Sequence, residues 1–139
     1  MNHPAIGQSI HDLDTPALIL DLDVSDRNIQ QMAQFFSDRP AQLRPHFKNH
    51  KCSELAIRQI KAGSAVGMTC ANMVEAEALA RAGIDDILIA NQILGREKIR
   101  RLVDLAGKLK ISVAIDELSQ AVFPSRYVRG SEILDVYGE

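Results

Sequence analysis

The stretch from Ala65 to Ala90, AVGMTCANMVEAEALARAGIDDILIA, decides the fold. It opens with an apolar run, Ala65 to Cys70, that is short enough to be a strand. Met73 to Ala82 follows with Ala78 and Ala82 at helical spacing, then Gly83, then a second apolar run from Ile87 to Ala90. Asn72 stands at the N-cap position, and Glu75 three residues on completes a capping-box pattern with Asn in place of Ser or Thr. The unit recurs on both sides with a period of about 20 residues. Upstream, Ala41 to Phe47, interrupted by Arg44 and His46, leads into Glu54 to Ala62, with Ser53 as the expected cap. Downstream, Arg96 to Gly107 carries Ile99, Leu102, Val103 and Ala106 on one face and leads into Ile111 to Ile115. Gly63, Gly83 and Gly107 sit where a left-handed helix cap is wanted, a conformation glycine reaches without a Cβ clash. Strands alternating with helices at this spacing predict βα units, a parallel sheet and an α/β class.

Outside the repeat, Pro16 to Leu20 reads as a strand, and Ser25 to Phe36 as a helix with Ile29, Met32, Ala33 and Phe36 on one face. After Asp116 the rhythm is lost. Phe123, Pro124, Ser125 and Arg126 break any helix, and Ile133 to Tyr137 is at most a short strand. The 139 residues, 46% hydrophobic and 24% charged, suit one soluble domain. A net charge of −2 and the absence of Trp argue against nucleic acid as a partner, and no apolar run is long enough to span a membrane. The first eight residues lack the pattern of a secretion signal, so a cytoplasmic location is expected. Cys52 and Cys70 form neither a disulfide framework nor a zinc spacing.

Polar residues stand at the C-terminal end of every predicted parallel strand: His46 and Lys48, then Thr69, Cys70 and Asn72, then Asn91 and Gln92, then Asp116 and Glu117. Ligands of parallel α/β folds bind at that edge, so these residues are expected to share one mouth. Arg44-Pro45-His46-Phe47-Lys48-Asn49-His50-Lys51 packs three fixed cations and two imidazoles into eight residues. Positive neighbours in a partly desolvated pocket favour a neutral lysine, which is a nucleophile suited to a Schiff base with an aldehyde. Lys48 is the candidate, with His46, two residues away on the same strand face, as a proton relay. A phosphate-binding patch and a solvated basic turn are competing readings of the same string.

These residues carry a resemblance. Leu13 to Asp23, Arg44 to Cys52, Val66 to Cys70, Glu75 to Ala78 and Ile87 to Gln92 resemble the amino-terminal part of D-threonine aldolases and the related D-serine dehydratases. Those are alanine-racemase-like, fold type III enzymes that use pyridoxal 5′-phosphate. The resemblance implies part of a (β/α)₈ TIM-type barrel, about four βα units, with strands at 42 to 48, 65 to 70, 86 to 90 and 111 to 115. It also implies that Lys48 forms the internal aldimine with the cofactor, and that His46 is a catalytic partner. Arg44, Thr69 and Asn91 are the further expected cofactor contacts, and a D-amino acid is the implied substrate. Residues 1–24 are expected as an arm and strand pairing with a carboxy-terminal β-domain, 25–118 as half a barrel, and 119–139 as a tail outside the resemblance. Where relatives often show Gln-Lys after the residue matching Cys70, this chain has Ala71-Asn72, so no cofactor contact is carried over there.

A complete barrel of this type takes roughly 250 residues. The later strands and the β-domain with its divalent-metal ligands have no counterpart in these 139 residues, so no metal ligand is assigned. The expectation is a lyase of the aldolase or dehydratase type, present as a truncated amino-terminal part with little turnover alone. A non-catalytic pyridoxal-phosphate carrier and an inactive fragment are the alternatives. Half a barrel has two open parallel edges. The chain, if stably folded, is expected to form a homodimer; a monomer that melts cooperatively in combined sedimentation and calorimetry would contradict this.

Overall fold

Asp21 sets the first long element. Its Oδ1 accepts the Val24 N–H at 2.9 Å, satisfying a donor that the first helical turn leaves unpaired, and α1 runs from there as Leu22–Ser37. The computed structural model describes residues 5–63, 65–117, 119–120 and, as backbone, 134–137. Beyond α1 the elements are α2 (Ser53–Lys61), β1 (Met68–Cys70), α3 (Met73–Arg81), β2 (Asp86–Ile89), α4 (Arg96–Ala106), β3 (Lys110–Ala114) and β4 (Leu134–Tyr137). The strands form one sheet in the order β1-β2-β3-β4, and each neighbouring pair is parallel. This is the predicted α/β arrangement of a partial barrel. Of the expected tail, the strand at 134–137 is seen as backbone, and residues 121–133 lie outside the described ones.

Register divides the sheet into two chemically different faces. Met68, Ile87 and Ile111 are partners, as are Cys70, Ile89 and Val113, and all six are buried. They pack with Ala56 of α2, Ala76 and Leu79 of α3, and Ile99 and Leu102 of α4 in one apolar cluster. Removing each large side chain from water contributes about 2 kcal/mol. The intervening residues, Thr69, Leu88 and Ser112, are also partners and occupy the opposite face. Asp86 and Lys110, each the first residue of its strand, share that second face at the N-terminal edge.

Several local expectations are corrected. Pro16 to Leu20 forms no strand, and Leu18 is 100% exposed. Strand hydrogen bonds need a neighbour, and none of the described strands lies beside it. The segment 42–48 is reduced to two isolated bridges, Leu43 with Ala65 and His46 with Thr69. One side advances three residues between them and the other four, so the ladder is bulged. Pro45 has no N–H to donate, and Phe47–Asn49 closes into a 3-10 turn. Ser53 is the first residue of α2, not its cap; Cys52 takes the cap position without a side-chain hydrogen bond. Gly63 and Gly83 are left-handed, with φ of 109° and 83°. Gly107 keeps a right-handed φ of −70°, because the chain turns on through Lys108 and Leu109, whose N–H groups both reach the Leu105 carbonyl. On α1, Ala33 is buried and Ile29 and Phe36 are half-buried, but Met32 is exposed.

Gly67 has a packing role. A Cβ there would lie 2.2 Å from the Asp86 carbonyl oxygen and 2.7 Å from Arg44 Nη1. Gly67→Ala is therefore expected to lower stability by about 2 kcal/mol in chemical denaturation; an unchanged midpoint would show that the β1–β2 edge can yield without cost.

Candidate active site

The turn Phe47–Asn49 carries the candidate amine past the end of the first sheet segment, and it is held from several sides. The Phe47 side chain is buried in the core cluster. His46 Nδ1 accepts the Lys48 N–H at 3.2 Å, which assigns that nitrogen as the unprotonated one. Lys51 donates its N–H to the Phe47 carbonyl at 2.8 Å. His50 Nδ1 accepts the Cys52 N–H at 3.1 Å, and its Nε2 meets Gln59 Oε1 at 3.2 Å. The strand alternation expected to align His46 with Lys48 ends at His46, and the ring turns instead to the lysine's backbone.

The three cations of the string have separate fates. Arg44 pairs with Asp86 through Nη1 and Oδ1, and Lys110 Nζ joins the same carboxylate at 3.5 Å. That cluster lies at the N-terminal edge of the sheet, away from Lys48. Lys51 Nζ faces Glu75 Oε1 at 3.5 Å. Lys48 has no carboxylate within ion-pair distance among the described residues, and it is exposed rather than enclosed in the expected pocket. The Phe47–Asn49 turn carries it past the bridge between His46 and Thr69.

Thr69 is also placed differently from its expected role. It sits mid-strand, buried, with Oγ1 donating to the Arg44 carbonyl at 3.1 Å and its N–H to the Pro45 carbonyl at 2.8 Å. It fastens the first segment to β1. Asn91 does stand at the C-terminal edge, its Nδ2 donating to the Ala71 carbonyl at 3.4 Å. Its Oδ1 accepts the Gln92 N–H at 3.0 Å, and Gln92 Nε2 donates to Asp116 Oδ2 at 3.1 Å. The polar strand ends are thus joined in one line from β1 to β3.

Glu75 is the residue that sequence reasoning placed too simply. Half of the capping box forms: Asn72 Oδ1 accepts the Glu75 N–H at 3.0 Å. The carboxylate does not return to Asn72 but accepts the Ala71 N–H through Oε2 at 2.9 Å. Asn72-x-x-Glu75 was the available signal; the burial of the carboxylate depends on neighbours distant in sequence.

Electrostatics follow from these positions. Burial lowers the His46 pKa below its usual value, the positive charge of Lys48 acts in the same direction, and the Glu75 carboxylate opposes both. Burial also pushes the Cys70 thiol up to about 12, with the Glu75 charge adding to it. Cys70 is therefore a packed, protonated side chain and no nucleophile. Among the described residues no group of three or more His, Cys, Asp or Glu is placed to hold a metal ion, and no helix is long and apolar enough to cross a membrane.

A parallel sheet backed by helices, with a lysine at its C-terminal edge that has no carboxylate partner among the described residues, defines a barrel-type α/β protein. The particular family is established by sequence: the chain belongs to the alanine racemase N-terminal domain family, which matches residues 20–132. It is 41% identical over 110 residues to a D-threonine aldolase of Arthrobacter sp, covering 79% of this chain and 29% of that protein. It is 37% identical over 117 residues to a 3-hydroxy-D-aspartate aldolase of Paracoccus denitrificans (strain Pd 1222), covering 83% of this chain and 30% of that protein. The crystal structure of D-threonine aldolase from Filomicrobium marinum superposes with a TM-score of 0.86 at 41% identity, over 93% of this chain and 35% of that one. The chain thus spans about three-tenths of the length of the curated relatives it matches. Its homologues are D-amino acid aldolases and dehydratases.

The depressed His46 pKa has a definite sign. The folded state disfavours the protonated ring, so this group contributes stability above its unfolded value of 6.5 that is lost as pH falls below it. Protonation at Nδ1 also removes the acceptor for the Lys48 N–H. A His46→Gln variant is expected to show a shallower acid-side loss of stability than wild type, and ring NMR should give a His46 midpoint below 6.5; a midpoint at or above that value would contradict the geometry.

Proposed function

We propose that this chain carries the lysine-bearing portion of a pyridoxal-phosphate enzyme acting on D-amino acids, of the aldolase or dehydratase type. The observation that carries the reading is the position of Lys48. Arg44 and Lys51 are paired with carboxylates, whereas the Lys48 amine has no carboxylate partner among the described residues and stands at the sheet edge where parallel α/β folds bind ligands. The aldolases and dehydratases among the relatives support the class of substrate.

The residues present fit the aldehyde end of such a cofactor. Lys48 Nζ would hold it. When bound, the cofactor supplies an electron sink for bonds at the amino acid's Cα. His46, with Nδ1 engaged by the Lys48 N–H, offers Nε2 as the nitrogen for moving a proton. Asn91 supplies an amide at the same edge. Arg44 and Thr69 act as supports in this reading. One guanidinium is committed to Asp86, and the hydroxyl is committed to a backbone carbonyl.

Borohydride treatment in the presence of pyridoxal phosphate, followed by peptide mapping, is expected to fix the cofactor on Lys48, with the label lost in Lys48→Ala. A label on Lys51, or none at all, would sink the assignment. Glycine released from D-threonine, or pyruvate from D-serine, would separate aldolase from dehydratase chemistry in the active protein.

A further inference from the structure

The buried carboxylate at the start of α3 is not accounted for by helix capping. The Glu75 N–H is already satisfied by Asn72, and an exposed glutamate would complement the helix dipole as well. Yet Glu75 is 7% exposed, and burying a carboxylate is unfavourable unless its oxygens are bonded and its charge is paired. Both conditions are met by groups flanking the candidate site. Oε2 accepts the N–H of Ala71, which follows β1 directly, and Oε1 faces Lys51 Nζ.

Lys51 is the unusual partner. Its φ is 49°, and no other described non-glycine residue has a positive φ; side-chain-bearing residues adopt that region at a cost. Its side chain is 67% exposed and could extend into water. Instead it folds onto Glu75 while its backbone N–H closes the turn onto Phe47. The turn carrying Lys48 is thus pinned on one side by the buried Phe47 ring and on the other by the Glu75–Lys51 pair.

We propose that Glu75 is a positioning residue for Lys48, acting through Lys51 to hold the 47–51 turn against the end of β1. This rests on the reading of Lys48 as the cofactor amine. Glu75 touches neither cofactor nor substrate in this role; it fixes where the amine stands.

Two measurements test it. In the cofactor-free chain, Glu75→Gln is expected to move the His46 ring titration further below its wild-type midpoint, because the charge opposing burial and Lys48 is removed. The rate at which pyridoxal phosphate becomes fixed to Lys48 under borohydride is then compared across wild type, Glu75→Gln, Lys51→Ala and the double variant. Both single variants should slow fixation by roughly three- to tenfold, the range open to a partly buried ion pair. The double variant should be no slower than either single one. A plain charge effect on an anionic cofactor would move the two single variants in opposite directions, whereas positioning moves them the same way. Wild-type rates in Lys51→Ala, or opposite shifts, overturn the proposal. If Glu75→Gln fails to fold, Glu75→Asp takes its place, because it keeps the charge and shortens the reach to Lys51: slowed fixation supports positioning, and a wild-type rate overturns it. A wild-type chain labelled at Lys48 with unaffected variants overturns only the role of Glu75; a wild-type chain not labelled at Lys48 overturns the reading beneath it.

Discussion

Everything in this chain depends on one apolar layer: the face of the sheet formed by Met68, Cys70, Ile87, Ile89, Ile111 and Val113, pressed against α2, α3 and α4. Parallel strands cannot be joined by tight hairpins, so each crossover helix must return over the sheet and bury its apolar stripe there. That requirement fixes the direction of every strand. It therefore fixes which loops share an edge, and it brings Lys48, Asn91 and Asp116 to one side of the molecule although they are far apart in sequence. No contact among those polar residues is strong enough to impose that arrangement.

The two edges of the sheet use polar residues differently. At the N-terminal edge Arg44, Asp86 and Lys110 form a compact ionic cluster, and Gly67 lacks the Cβ that would collide with it. Both cations are drawn onto the one Asp86 carboxylate. At the C-terminal edge the connections are mostly amide hydrogen bonds between exposed groups, Asn91 to Ala71 and Gln92 to Asp116. Each contributes little to stability because water competes for it. Such an edge can exchange partners with a ligand.

Local pattern was enough to read the helices and β1 to β3, because each carries its own periodicity and punctuation. The element boundaries shift by a few residues at most. It was not enough where a segment needs a distant partner. Pro16 to Leu20 has the composition of a strand and no neighbour among the described residues, and the strand expected at 42 to 48 is cut to two bridges by the extra residue its partner carries between Ala65 and Thr69 and by the turn at Phe47–Asn49. The positions of the site candidates show the same division. Lys48, His46 and Asn91 stand at or just past the C-terminal ends of their segments, where the alternation of strand and helix predicts them. Arg44 stands at the opposite edge, because four residues of extended chain cover roughly 13 Å, and Thr69, although it bridges His46, has its hydroxyl engaged by the Arg44 carbonyl.

Glu75 shows how one motif can be read correctly and still conceal its role. Asn-x-x-Glu before an apolar helix predicts a cap, and the cap forms. Nothing in those four residues says that the carboxylate lies under the turn from the preceding βα unit. That follows only when β1 lies beside the first sheet segment and Lys51 takes its left-handed conformation. Charge then links groups the sequence keeps apart: Glu75 raises the His46 pKa against the pull of burial and Lys48, and it helps keep Cys70 protonated. A buried carboxylate able to bias several neighbours at once is a consequence of packing one βα unit against the next, so the electrostatics of the mouth are set by the same layer that sets the fold.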